Sequence, residues 1–99
     1  MEIKDLTYET FRDRTGESFR DTEAGIALDL LEVDDLTAVA RNVPADARTP
    51  FSLVFRGPAE PVVSQGIRPL EHDELGTLEI FIVPIALEQD GLRYQAVFS

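Results

Sequence analysis

The chain has 99 residues, of which 43% are hydrophobic and 28% charged, proportions that fit one folded domain with a single core. Nineteen acidic residues against nine basic ones give a formal net charge of −10, which repels nucleic-acid backbones, and no local basic stripe offsets it. The lack of cysteine excludes disulfides, thiolate nucleophiles and sulfur-ligated zinc, and no apolar run approaches the ~20 residues of a membrane helix.

The first predicted element is a short helix over about residues 7–14. Thr7 suits the N-cap position, and Gly16 suits the end of the helix. Because two helical turns are marginal alone, Tyr8 and Phe11 are expected to pack on the rest of the domain. The start of the chain also lacks the basic and apolar regions of a signal peptide, which predicts a cytoplasmic protein, with incorporation into a larger particle left open.

Two extended segments follow Gly16. Residues 17–21 form a short one, and the stretch after Gly25 alternates with period two, placing Ile26, Leu28 and Leu30 on one face of a strand. The position of Val33 on the opposite face predicts a bulge or bend near Leu30–Leu31.

Residues 34–50 are predicted to be a partly ordered connection. Asp34 or Asp35 suits the cap of a helical turn, and prolines bracket a loop of small residues. The apolar residues of that turn and the two prolines are Leu36, Val39, Ala40, Pro44 and Pro50.

The second half of the chain predicts four more strands. Residues 51–57 alternate and end at a proline-rich turn. Residues 62–70 contain Gly66, which indicates a bulge or a close backbone approach, and Pro69, which predicts an edge or an end. Residues 77–87 are apolar on both faces and predict the central strand, with Phe81 in the core. Asp90-Gly91 predicts a hairpin into a last strand that points Phe98 inward and Arg93, Gln95 and Val97 outward.

These elements predict a mostly β fold. We expect five or six antiparallel strands in a small barrel or two-layer sandwich, with one short N-terminal helix covering an open end or face, and one domain over residues 1–99.

The strand motifs resemble those of a family of small bacterial domains of unknown function. Its pattern reads F-x-L-x-F-x-G-P, then Q-G-x-Y/I-x-L-x-H, L-G-x-L-x-L/I-F-x-V-P and Y-x-A-V-F-N/S. The matching residues are Phe51, Leu53, Phe55, Gly57, Pro58, Gln65, Gly66, Leu70, His72, Leu75, Gly76, Phe81, Val83, Pro84, Tyr94, Ala96, Val97 and Phe98. The resemblance implies no catalytic residues, and the location of some members near phage-tail-collar or contractile-injection genes implies a structural or interaction role.

The chemical inventory is sparse. His72 is the single histidine and lies among acids on a predicted turn, where neighbouring side chains diverge, so we interpret it as a structural or solvated residue rather than as a metal ligand or a base. The acids near the end of the second strand and at the last hairpin lack the spacing of a calcium loop. The acids around His72 are Glu71, Asp73 and Glu74, those near the end of the second strand are Glu32, Asp34 and Asp35, and those at the last hairpin are Glu88 and Asp90.

We therefore assign no catalytic, cofactor-binding or metal-binding residues and expect a protein that is not an enzyme. The first hypothesis is a structural or protein-interaction module, with a protein partner or a second copy bound through an edge strand, and with neither nucleic acid nor membrane as a partner. It includes an accessory of a phage-tail-like or injection assembly. The alternative is a small-ligand-binding barrel whose cavity is lined by residues 77–87.

Overall fold

A computed structural model describes residues 5–37 and 49–98 of the chain. Its strands are all antiparallel and lie in the order β1-β2-β3-β6-β5-β4, and pairing of β1 with β4 closes them into a barrel. The elements are α1 (Tyr8–Phe11), β1 (Ser18–Asp21), β2 (Ile26–Asp35), β3 (Phe51–Gly57), β4 (Gly66–His72), β5 (Gly76–Glu88) and β6 (Gly91–Phe98). The predicted fold class is confirmed in its six-stranded barrel form.

The helix begins where predicted but is shorter. Thr7 is the N-cap, and its backbone N–H donates to the Thr10 hydroxyl at 3.1 Å, as in a capping box. After Phe11 the chain continues in turns, through bonds from Arg14 N–H to the Phe11 carbonyl and from Glu17 N–H to the Arg14 carbonyl. The helix therefore spans four residues instead of the predicted eight, because these turns direct the chain into β1.

The two long strands each belong to both sides of the barrel. β2 pairs with β1 over Ile26–Asp29 and then with β3, with a register shift between Leu30 and Glu32 that confirms the predicted bulge. β5 pairs with β4 as far as Ile82 and with β6 from Val83 onward, with a second shift between Pro84 and Ala86. Such bulges bend a strand, so one strand can serve two sheets that face each other.

Aromatic rings fill the barrel where β3 begins and β6 ends. Phe51 and Phe98 stack with centroids 4.5 Å apart and 6° between their planes. Phe11 of the helix lies 5.9 Å from Phe51 and 6.2 Å from Phe98, so the helix closes this end of the barrel. Phe98 is thus a core residue, as predicted.

The last hairpin and the loop before β4 close the other end. Residues 89 and 90 form the turn, and Gly91, with φ +126°, pairs with Glu88 as the first residue of β6. A Cβ at Gly91 would lie 2.2 Å from the Gly57 carbonyl oxygen, so β3 and β6 approach closely only because this residue is glycine. The hydroxyl of buried Tyr94 accepts the Val63 N–H at 3.0 Å and holds the loop in place.

Two predictions about the strands are wrong in part. β4 begins at Gly66 rather than near Val62, and it runs through Pro69 to His72 instead of ending at the proline. Pro69 is tolerated because β1 ends at Asp21 and pairs with β4 only at Leu70 and Glu71, so no β1 residue pairs with Pro69. The Pro69 carbonyl accepts the N–H of Thr22, which follows β1.

The second correction concerns β5, whose two apolar faces were predicted to be buried together. Leu78, Ile80 and Ile82 are buried, but Phe81 and Ile85 are each 49% exposed. The barrel has no second layer outside β5 among the described residues, so its outer face remains on the surface.

The predicted connection is described only at its ends. Asp35 accepts hydrogen bonds from the backbone N–H and hydroxyl of Thr37, and the Leu36 N–H donates to the Pro50 carbonyl. Val39, Ala40 and Pro44 lie outside the described residues. Within the described ranges, no helix has the length and apolarity that crossing a membrane requires.

Candidate functional site

His72, the histidine singled out in the sequence, fastens the β4–β5 turn to the segment before β1. Its Nδ1 accepts the backbone N–H groups of Glu74 at 3.0 Å and Leu75 at 3.2 Å. Its Nε2 lies 2.6 Å from the Glu17 carboxylate, and its ring packs on Phe19 with centroids 4.6 Å apart. Because Nδ1 accepts, Nε2 is the nitrogen that donates a hydrogen to Glu17.

The surrounding charges are also engaged in structural contacts. The hydrogen bond from His72, followed by that from Arg14, lowers the pKa of Glu17 below its ordinary value, against an opposing effect of burial. Arg14 also contacts Glu74 at 3.1 Å and so links the same two segments. Both ring nitrogens of His72 therefore form hydrogen bonds within the domain.

The acids next to His72 in sequence point elsewhere. Glu71 and Asp73 both contact Arg20 of β1 on the outside of the barrel. No group of three histidine or acidic side chains that would hold a metal ion occurs in residues 5–37 and 49–98. Sequence neighbours on this turn diverge, as expected, and the acid that does meet His72, Glu17, comes from 55 positions away.

A buried ion pair joins β1 to β4. Asp21 is fully buried, and its carboxylate accepts from Arg68 Nε at 2.7 Å and Nη2 at 3.1 Å and from the backbone N–H groups of Glu23 and Ala24. Burial by itself raises the pKa of Asp21, but the hydrogen bonds from Arg68 and Ala24 outweigh that effect and the pKa is lowered. The pair therefore supports the closure of the barrel.

The other described arginines are paired in the same way. Arg56 bridges Asp29 of β2 and Asp90 of the last hairpin, and Arg93 also contacts Asp90. Hydrogen bonds from Ser18 and Arg56 lower the pKa of Asp29. Every arginine in the described part of the chain contacts an acid within 4.0 Å, namely Arg12, Arg14, Arg20, Arg56, Arg68 and Arg93.

An apolar outer stripe is the feature that these contacts leave unexplained. We define the outer stripe as Ile67 of β4 with Phe81, Val83 and Ile85 of β5. Phe81 and Val83 alternate with buried residues and face outward, and Ile85 lies at the bulge. Ile67 pairs directly opposite Phe81 and is 65% exposed. Such cross-strand neighbours lie about 5 Å apart and present a continuous surface.

One acidic side chain, Glu79, lies at the end of the outer stripe. Glu79 is two residues before Phe81 on the same exposed face, and it lies opposite Pro69. No described residue forms an ion pair with it, although Asp21, Asp29 and Asp90 all have arginine partners. The exposed carboxylate next to the outer stripe is therefore not compensated by any cation of residues 5–37 and 49–98.

The acids that were compared with calcium ligands stay on the surface. Glu32 and Asp34 are exposed on β2, and Asp35 is occupied by Thr37, whose hydroxyl and N–H lower the Asp35 pKa. At the last hairpin, Asp90 pairs with two arginines while Glu88 is exposed. Neither set converges on a common point in the described structure.

The fold and these surfaces define a small all-β domain, a closed six-stranded antiparallel barrel with one helical turn over its end and an apolar stripe on its outer face. The chain belongs to the family described as Domain of unknown function (DUF6916), whose model matches residues 6–98. The predicted resemblance to a small family of unknown function is confirmed at that level. No curated protein and no solved structure matches the chain.

The sequence contained the pattern of the outer stripe, but the prediction that this face of β5 is buried was wrong. The alternation that placed Phe81 and Val83 on one face of a strand was correct, whereas Ile85 lies at the bulge, where the alternation is interrupted. Apolar residues on both faces usually indicate a strand buried on both sides, as in layered α/β proteins. Here the same pattern marks an exposed surface.

Proposed function

We propose that this domain is a non-enzymatic protein-interaction module that binds a protein partner on the outer stripe. The observation that carries the proposal is the exposure of Phe81 beside Ile67 on the outside of a closed barrel. A half-exposed phenylalanine leaves about 100 Å² of ring surface in water. Covering that surface with a partner is favourable by about 25 cal/mol per Å². Contiguous apolar patches of this kind often mark interaction sites.

The hydrogen bonds and ion pairs that the titratable side chains form within the domain support a role without catalysis. His72 uses both ring nitrogens in structural bonds, and the buried Asp21 is saturated by Arg68 and two backbone donors. An enzyme needs a nucleophile, acid or base that is free to act on a bound substrate. The geometry of these groups favours stability over chemistry.

The position of the outer stripe favours docking on a face of the barrel over addition of a strand to an edge. β6 pairs with β3 on one side and β5 on the other, so most of its length is already occupied. β5 beyond Ile82 has no β4 partner among the described residues, but this part contains Pro84 and the bulge. Proline and bulges both oppose the pairing of an added strand.

The ligand-binding alternative receives less support. Leu78, Ile80 and Ile82, the inner residues of β5, are packed within the aromatic and aliphatic core. A surface concavity of about 400 Å³ lies instead against the β1–β2 turn, next to Thr22 and Ala27.

The family resemblance supports a more specific form of the proposal, that the partner belongs to a phage-tail-like or injection assembly. A module that binds one component of a large particle needs a stable fold and one contact surface, and it needs no catalytic site. Copurification of the tagged protein with sedimenting particles from its native source tests this point, and a protein that never sediments with them argues against it.

The test of the interaction surface is a comparison of captured proteins. Tagged wild type, Phe81→Ser, Ile67→Thr and Leu87→Ser are used to capture proteins from the native source, with quantitative mass spectrometry as the readout. Leu87 is the matched control, because it is 69% exposed and lies about 20 Å along β5 from Phe81. We expect a specific partner that Leu87→Ser retains and both outer-stripe variants lose. A partner retained by all four proteins would refute the outer stripe as its site.

A further inference from the structure

We infer that the partner segment bound on the outer stripe is cationic and amphipathic, with a lysine or arginine that pairs with Glu79 beside its apolar contacts. This inference rests on the proposed function and adds the chemistry of the partner. Glu79 and Phe81 lie two residues apart on the exposed face of β5, about 7 Å along the strand. A partner that covers Phe81 and Ile67 therefore also covers part of Glu79.

The cation follows from the cost of covering an unpaired carboxylate. Glu79 is exposed and has no ion-pair partner among the described residues, so no described cation compensates its charge. Removing water from this carboxylate without supplying an opposite charge opposes binding. A lysine or arginine in the partner restores the lost interaction and fixes the orientation of the segment.

The charge of the whole domain favours the same kind of partner. The formal net charge is −10, and all described arginines already contact acids. The surface field therefore attracts a cationic segment during association and slows the approach of an acidic one. A second copy of this chain would bring its own Glu79 and its own excess of acids to the contact, which argues against self-association there.

The size of the outer stripe limits the length of the segment. Phe81 to Ile85 spans four residue steps, or about 13 Å of an extended strand, and Ile67 adds the width of one neighbouring strand. About five extended partner residues cover this area. A segment with apolar side chains on the face that covers the stripe, and one basic side chain at the end of that same face, meets both requirements, because the basic residue then reaches Glu79.

The experiment is a selection of random twelve-residue peptides displayed on phage, run in parallel on four immobilised proteins. These are wild type, Phe81→Ser, Glu79→Gln and Glu32→Gln. Glu32 is the matched control, since it is exposed on β2, forms no ion pair with a described residue, and its replacement changes the net charge equally. Circular dichroism confirms the fold of each variant, and Ile67→Thr replaces Phe81→Ser if that variant is unfolded.

We expect the peptides that require Phe81 to contain an excess of lysine and arginine at positions two residues from an apolar residue. That excess should persist on Glu32→Gln and disappear on Glu79→Gln. When resynthesised, these peptides should bind Glu79→Gln about threefold to tenfold more weakly than wild type, and Glu32→Gln with nearly unchanged affinity.

Several outcomes would overturn the inference. Peptides that depend on Phe81 but carry no cationic excess would leave the outer stripe as an interaction site and remove the role of Glu79. If Glu79→Gln and Glu32→Gln weakened peptide binding equally, the preference for cationic peptides would result from the net charge of the domain and not from a contact with Glu79. A dimer in light scattering that Phe81→Ser dissociates would identify a second copy as the occupant. If no peptide depends on Phe81, both this inference and the proposed function lose their support.

Discussion

Replacement of Phe98 by alanine tests the aromatic closure of the core. The side chain is 4% exposed, stacks on Phe51 at 4.5 Å and lies 6.2 Å from Phe11. Truncation of a buried phenylalanine costs about 3–5 kcal/mol, through lost burial and the cavity that remains. Because domains of this size have a free energy of unfolding of about 5–15 kcal/mol, the variant should keep only part of its stability.

Phe81→Ala is the matched control, with the same chemical change on the outer face. Phe81 is 49% exposed, so about 100 Å² of its side chain is removed from water. At about 25 cal/mol per Å² this burial is worth at most about 2.5 kcal/mol, and we expect a loss between 1 and that value. Urea denaturation, followed by circular dichroism, measures the stability of both variants. An unchanged dependence of the free energy of unfolding on urea concentration shows that wild type and variants unfold in the same way and can be compared. Equal losses, or a loss below about 1 kcal/mol for Phe98→Ala, would refute this account of the core.

Three further predictions concern polar contacts and one close approach. Arg68→Met should cost about 3–5 kcal/mol at pH 7, because Asp21 stays buried without its cation. The folded-state pKa of Asp21 is lowered, so its stabilising contribution is complete above the ordinary pKa of about 3.9 and is lost as the pH falls below that value. The difference in free energy of unfolding between wild type and Arg68→Met, measured by urea denaturation, should therefore become smaller in acid. A difference that does not change with pH would contradict the role of the ion pair. His72→Asn keeps an acceptor close to the position of Nδ1, which can still accept the N–H groups of Glu74 and Leu75. In thermal melts it should therefore lose about 1 kcal/mol less stability than His72→Ala. Equal losses would show that these two hydrogen bonds do not stabilise the domain. Gly91→Ala should lower the free energy of unfolding by about 3 kcal/mol or more, because the new Cβ would lie 2.2 Å from the Gly57 carbonyl oxygen. Gly25→Ala, which has open space around the new Cβ, should cost about 1 kcal/mol. Similar losses at the two positions would show that the positive φ, and not the close contact, determines the cost.

The strand pattern was predictable where a polar residue alternates with an apolar one. The β6 alternation placed Tyr94 and Phe98 inside, and the period change near Leu30 located the β2 bulge, because each feature follows from local geometry. The burial of β5 was predicted wrongly, since apolarity on both faces does not state whether a second layer exists. That information depends on how the barrel closes, which involves strands far apart in sequence.

The polar network was harder to predict than the strands. His72 was predicted to lie on a turn, but it is the last residue of β4. Its carboxylate partner Glu17 and the Asp21–Arg68 pair join positions 55 and 47 residues apart. Short motifs detect ligands at fixed local spacings, and they carry no signal for contacts that exist only after the barrel has closed. The same limit applies to Glu79, whose lack of a described partner is apparent only in the folded structure.

The way in which β1 meets β4 has a consequence for the motions of this domain. Only two residue pairs join these strands, against seven between β3 and β6, so the barrel is closed along its weakest line. Opening there breaks few backbone bonds and turns the barrel into a curved sheet with β1 and β4 at its margins. Native-state hydrogen exchange should therefore release the amides near Thr22 before those of β3, and opening of this kind sets the lowest free energy at which the core becomes wet.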